Sequence, residues 1–109
     1  MKKNPYFTFI RFTNEGFIPD LKARELLNRI ACAEDEATPL TVAGVMSFTD
    51  IAAPATLHRK LEDLLIMKLV DHEYKNKNRR TKYVVLTEAS RKYFELLGET
   101  MDRVVEASK

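Results

Sequence analysis

Five basic side chains fall between Tyr74 and Lys82 with no acid among them: Lys75, Lys77, Arg79, Arg80 and Lys82. Cations at that density suit a row of phosphates, where they supply salt-sensitive affinity rather than a choice of sequence. The competing reading is a solvated hairpin tip. A second set lies upstream, where Ala55, Thr56, His58 and Arg59 follow Pro54. Small or polar side chains at the start of a helix let it approach base edges in the major groove. An arginine there can pair with guanine through two hydrogen bonds, worth roughly 1–3 kcal/mol of discrimination. Arg59 could equally hold a phosphate, and the sequence leaves both open. Thr41, at the start of a short helical pattern, could donate to a phosphate with the backbone N–H groups beside it. Glu62 and Asp63 would repel phosphate and are expected to face away from the backbone.

Other chemistries find little material. Two distant histidines, His58 and His72, and one cysteine, Cys32, make no metal-ligand set. Both histidines read as ordinary surface or strand residues. The chain has only three glycines, Gly16, Gly44 and Gly98, and no glycine-rich phosphate loop. Glu34-Asp35-Glu36 reads as a solvated helix end rather than an acid/base or metal site. No catalytic residue, metal or cofactor is expected, and the chain is not read as an enzyme. A lone cysteine forms no intrachain disulfide and suits a reducing cytoplasm, the expected location. Cys32 falls near the polar side of its helix with no flanking cation to lower its pKa, so it reads as a tolerated small residue. No run of about 18 apolar residues exists to span a membrane. Arg11 breaks the apolar run after the N-terminal lysines, so residues 1–19 are read as part of the fold rather than a signal peptide.

At 109 residues one domain is expected, long enough to bury a core without metal or disulfide. A net charge of +2 decides little, so the argument rests on where the charge sits. Asn4-Pro5 could open a short helix, while Tyr6 to Ile10 has strand composition; the apolar side chains there pack on this chain or on a second subunit. Asn14-Glu15-Gly16 reads as a turn. Asp20 caps a helix whose Ala23, Leu26, Leu27 and Ile30 recur at helical spacing. Thr41 caps a short helix from Val42 to Met46, and Ser47 to Asp50 break it. Pro54 takes the first position of a longer helix, to about residue 67, with Leu57, Leu61, Leu64 and Leu65 inward. Two strands follow, from Lys68 to Tyr74 and from Lys82 to Leu86, joined by the basic tip. Thr87 caps a terminal helix to about Glu106. Its stripe of Ala89, Tyr93, Leu96, Leu97, Thr100, Met101, Val104 and Val105 exceeds what a small domain needs to cover itself, which points to a subunit contact. Packing back on the N-terminal segment is the alternative.

The fold expected is mainly α with a small β-hairpin wing. From Pro39 to Phe94 the chain resembles the MarR-type winged helix-turn-helix transcriptional regulators. The resemblance lies in L-T-V-A-G-V-M at Leu40 to Met46 and A-P-A-T-L-H-R-K-L at Ala53 to Leu61. It continues in L-V-D-H-E at Leu69 to Glu73, and in R-R-T-K-Y-V-V-L-T at Arg79 to Thr87 followed by E-A-S-R-K-Y-F. It implies sequence-directed binding of double-stranded DNA as a homodimer. The helix from Pro54 would enter the major groove with Thr56 and Arg59 facing it, and Arg79 and Arg80 would match the wing arginines. Three departures stand out. Lys68 occupies the position where the family usually has glycine. No acid immediately precedes Arg79, where the family often has aspartate. The N-terminal dimerisation region, near which the family's ligand pocket lies, is short, which leaves the sensing of a small-molecule effector open. Two alternatives remain: a winged helix used for protein contact, favoured by the outward Ile66, and a replication or plasmid-maintenance DNA binder.

Overall fold

The computed structural model describes residues 20–74 and 81–107. Readings that fall on residues 1–19, the wing tip 75–80 and the last two residues lie outside it. Helix α1 spans Leu21–Asp35. The Asp20 carboxylate starts it by accepting from the Lys22 and Ala23 N–H groups at 2.9 and 3.1 Å, which satisfies two of the donors a helix start leaves bare. Its apolar period then buries Ala23, Leu26, Leu27 and Ile30. The helix stops where Ala37 turns to φ 59°. The Ala37 N–H donates to the Glu34 carbonyl and the Thr38 N–H to the Ala33 carbonyl, which is a Schellman cap without glycine.

Strand β1 is Leu40–Thr41 and runs straight into helix α2, Val42–Met46. A break at residues 47–53 leads to helix α3, Pro54–Ile66, with Pro54 in the first turn. Leu57, Leu61 and Leu64 are buried along its inner face, and each contributes about 1.5–3 kcal/mol of apolar burial. Lys68 then takes φ 59°, its N–H donating to the Leu65 carbonyl and the Leu69 N–H to the Leu64 carbonyl. This is the second Schellman cap, with Leu64 and Leu69 both buried beside it. The exit expected of a glycine is therefore made by a lysine.

Strands β2, Val70–Tyr74, and β3, Lys82–Leu86, form the antiparallel wing. The sheet has three strands in the order β1-β3-β2. β1 pairs Leu40 with Val84 and Thr41 with Tyr83. That third strand corrects the two-strand expectation: two residues are too few to show alternation. On β2, the His72 N–H donates to the neighbouring Asp71 carboxylate at 2.8 Å. Val84 and Leu86 meet Leu26, Leu27, Ile30, Val45, Leu57 and Leu64 in one core.

Helix α4, Glu88–Ala107, begins as expected at Thr87, whose hydroxyl accepts from the Ser90 N–H at 3.3 Å. Ser90 is its one buried residue. Leu96, Met101 and Val105 remain 45%, 52% and 43% exposed, while Tyr93, Leu97 and Val104 on the same stripe are half-buried.

Helix α1 also ties the other elements together. The Arg29 guanidinium meets the Asp50 carboxylate with both of its terminal nitrogens, one of them at 3.0 Å, and lies 4.9 Å from the Phe48 ring centroid. The pairing holds the Asp50 carboxyl below its ordinary pKa and the Arg29 guanidinium above its own. Lys60 pairs with Asp20, and that hydrogen bond, with the N–H bonds of the cap, lowers the Asp20 pKa. Glu34 accepts the Leu86 N–H at 3.2 Å and Arg91 at 3.1 Å. Glu34 is therefore not part of a solvated helix end, as its sequence neighbourhood suggested; Asp35 and Glu36 are exposed.

Candidate nucleic-acid interface

The start of α3 presents Ala55, His58 and Arg59 to solvent, with Thr56 half-buried beside them. Pro54 has no N–H to satisfy, and the N-cap residue Ala53 offers no side-chain hydrogen bond. The first turn thus lacks a side-chain acceptor for its bare donors. Arg59 takes part in no ion pair among the described residues, whereas its neighbour Lys60 is committed to Asp20. Of two adjacent cations, one braces the fold and one is left facing outward. Glu62, Asp63 and Ile66 are also exposed, Ile66 at 71%.

Thr41 sits where β1 becomes α2. Its hydroxyl oxygen accepts from the Gly44 N–H at 3.0 Å, so its proton is free to be donated elsewhere. Any side chain at Gly44 would crowd that oxygen, since a Cβ there would stand 3.3 Å from it. The cap and the glycine therefore belong together.

The wing closes with Tyr74 opposite Lys82, and the Lys82 ammonium lies 6.0 Å from the Tyr74 ring centroid. Lys75, Lys77, Arg79 and Arg80 fall outside the described residues. A groove of about 610 Å³ separates the wing root from α2, lined by Thr41, Ala43, His72, Tyr74, Thr81 and Lys82 among others, with no carboxylate. It brings together two residues, Thr41 and Lys82, that the sequence separates widely. It also adds one that sequence reasoning passed over: the Nε2 of half-buried His72 is buried without a hydrogen-bond partner. Register alone could have flagged it, since His72 pairs with the core residue Val84. A second cleft, about 810 Å³, lies between α1 and α4 and is lined by Cys32, Glu34, Arg91, Phe94 and Glu95 among others. Among the described residues no group of His, Cys, Asp and Glu could hold a metal ion, and no helix is long and apolar enough to cross a membrane.

No family model matches the chain, and no curated protein matches it. Solved structures do. The chain is similar to RV1404 from Mycobacterium tuberculosis, at 18% identity and a TM-score of 0.63, over 94% of this chain and 67% of that one. It is also similar to BpsR of Bordetella bronchiseptica, whose DNA binding is regulated by 6-hydroxynicotinic acid. That match has 18% identity and a TM-score of 0.55, and covers 95% of this chain and 73% of that one. The fold is a winged helix-turn-helix. In this winged helix α2 and α3 form the helix-turn-helix, and β2 and β3 form the wing, with β1 closing the sheet.

Proposed function

We propose that this winged helix is a transcriptional regulator that binds specific sequences in double-stranded DNA as a homodimer. The observation that carries the reading is the uncommitted start of α3, with Arg59 facing outward while Lys60 is held inward by Asp20. In this reading α3 enters the major groove, with Ala55 and Thr56 allowing close approach and Arg59 and His58 reaching base edges or a phosphate. Thr41 and Lys82, on either side of an acid-free groove, take backbone phosphates. Lys75, Lys77, Arg79 and Arg80 extend that contact along the backbone or into the minor groove. The exposed Leu96 and Met101 on the apolar stripe of α4 mark the face that meets a second copy, because exposed apolar surface calls for a partner. Two copies related by symmetry then read two half-sites of a palindrome. The resemblance to MarR-type regulators and the likeness to the DNA-binding BpsR support the same reading.

The test is titration of mixed-sequence duplex DNA at several salt concentrations, alongside the Arg79→Ala/Arg80→Ala variant. Affinity should fall steeply as salt rises, and the variant should flatten the log–log slope by about 2, one unit for each lost phosphate contact. Absence of binding at low salt would remove the reading. A protein-contact role would then take its place, favoured by Ile66 at 71% exposure on the outer face of α3.

A further inference from the structure

Ser90 is the only buried polar or charged residue among the described residues, and its position is specific. Its hydroxyl donates to the Leu69 carbonyl, immediately after the left-handed Lys68 that ends α3. The Thr87 hydroxyl donates to the Lys68 carbonyl at 2.8 Å, and the Thr87 N–H donates to the Leu69 carbonyl at 3.2 Å. The Thr87 hydroxyl in turn accepts the Ser90 N–H. The two residues that leave the α3 cap, Lys68 and Leu69, are therefore joined to the first turn of α4 through their adjacent carbonyls and two hydroxyls. Among the described residues, α4 beyond this junction meets the body through the half-buried Phe94 and through Arg91 against Glu34.

We propose that Thr87 and Ser90 are positioning residues that fix the angle between α3 and α4, and through it the spacing of the two half-sites. The inference rests on the DNA-binding dimer proposed above and says where its geometry is set. Lever length shows why so small a junction matters. α4 has 20 residues and is about 30 Å long at 1.5 Å per residue. A rotation of about 7° at its root therefore carries the far end by about 3.4 Å, one base-pair step. A junction that slackens by that angle lets the two α3 helices settle on neighbouring registers. The Leu69 carbonyl keeps the Thr87 N–H when the Ser90 hydroxyl is lost, and the Lys68 carbonyl is near solvent; Thr87→Val also takes the cap acceptor from the Ser90 N–H, a loss of stability that thermal unfolding of the variant reads separately.

The experiment selects bound duplexes from a randomised pool with the wild-type chain, with Thr87→Val/Ser90→Ala, and with Thr87→Ser. The selected pools give the distribution of half-site spacings, and single half-site duplexes give affinity. The wild type should prefer one spacing over its neighbours by about tenfold. The double variant should accept adjacent spacings within about twofold while its half-site affinity stays unchanged. Thr87→Ser, which keeps the hydroxyl, should retain the single spacing of the wild type. An unchanged spacing preference in the double variant would overturn the positioning role and leave the DNA reading intact, with Phe94 and Arg91 then sufficient to hold α4. Loss of half-site affinity in parallel with spacing would overturn it too, since that is a general structural effect. If the wild type enriches no sequence, the DNA reading fails and the inference fails with it.

Discussion

Replacing Lys68 with glycine should stabilise this protein. Lys68 sits at φ 59°, where an L-residue with a Cβ crowds the backbone at a cost of roughly 1–2 kcal/mol. Glycine removes that cost but gives the unfolded chain more freedom, which takes back roughly 0.5–1 kcal/mol. The lysine side chain is exposed and forms no ion pair among the described residues, so little else is lost. The net gain is about 0.5–1 kcal/mol, a rise in Tm of about 3–5 °C for a chain this size. A matched control is Lys92→Gly, in the interior of α4, which exchanges the same residues where φ is helical. There glycine should cost roughly 1 kcal/mol, including the weak i,i+4 pair with Glu88 at 3.4 Å. Both variants are read by thermal unfolding at one protein concentration, since association also shifts Tm. Opposite signs for the two substitutions support the strained cap. A Lys68→Gly Tm at or below the wild type would refute it, because nothing else at that position distinguishes the two changes.

Other outcomes follow from the same geometry. Arg59→Ala should cost specific DNA affinity by about 5- to 150-fold if Arg59 reads a base, with thermal stability unchanged; an equal loss on every sequence would make it a phosphate contact instead. Asp20→Ala should destabilise the fold by about 1 kcal/mol through loss of the α1 cap. The Asp20 pKa is lowered on folding from its ordinary 3.8, so its contribution is present above that value and is lost as pH falls below it. The variant should accordingly show a shallower acid limb in stability measured between neutral and strongly acidic pH. Leu96→Glu/Met101→Glu should yield monomers by sedimentation at concentrations where the wild type is dimeric, and a dimer that persists would place the subunit contact elsewhere.

Much of the frame was legible before any coordinates. Periodicity located α1, α3 and α4, because the 3.6-residue repeat makes an apolar stripe visible whether it is buried, as in α1 and α3, or part-exposed, as in α4. The starts at Asp20, Thr41, Pro54 and Thr87 were readable because capping needs particular side chains at one position. Even the irregular exit at Lys68 was flagged, by a residue standing where the family carries glycine. What escaped was non-local or too short. Glu34 reaches Leu86 and Arg91, 52 and 57 residues away, and nothing near it in sequence distinguishes it from Asp35. The Arg29–Asp50 fork spans 21 residues in the same way. β1 is too brief to alternate, and Ala37 adopts its left-handed turn without the glycine or asparagine that marks one. At the candidate interface, residue types named Thr41 and Lys82 separately, but only the sheet register shows that they flank one groove with His72 inside it.

The way β2 ends the sheet limits how copies of this molecule can meet. An open strand is a template for another strand, and many proteins must block it to stay dispersed. Here one edge, β1, is two residues long. On the other, the His72 N–H is already taken by the Asp71 carboxylate, and Asp71 and Glu73 would set their charges against an incoming chain. Growth by strand addition is thereby discouraged at both margins. The α4 contact proposed above is of a different kind: a helical face that meets its own copy closes after two copies, where strand addition would propagate without limit.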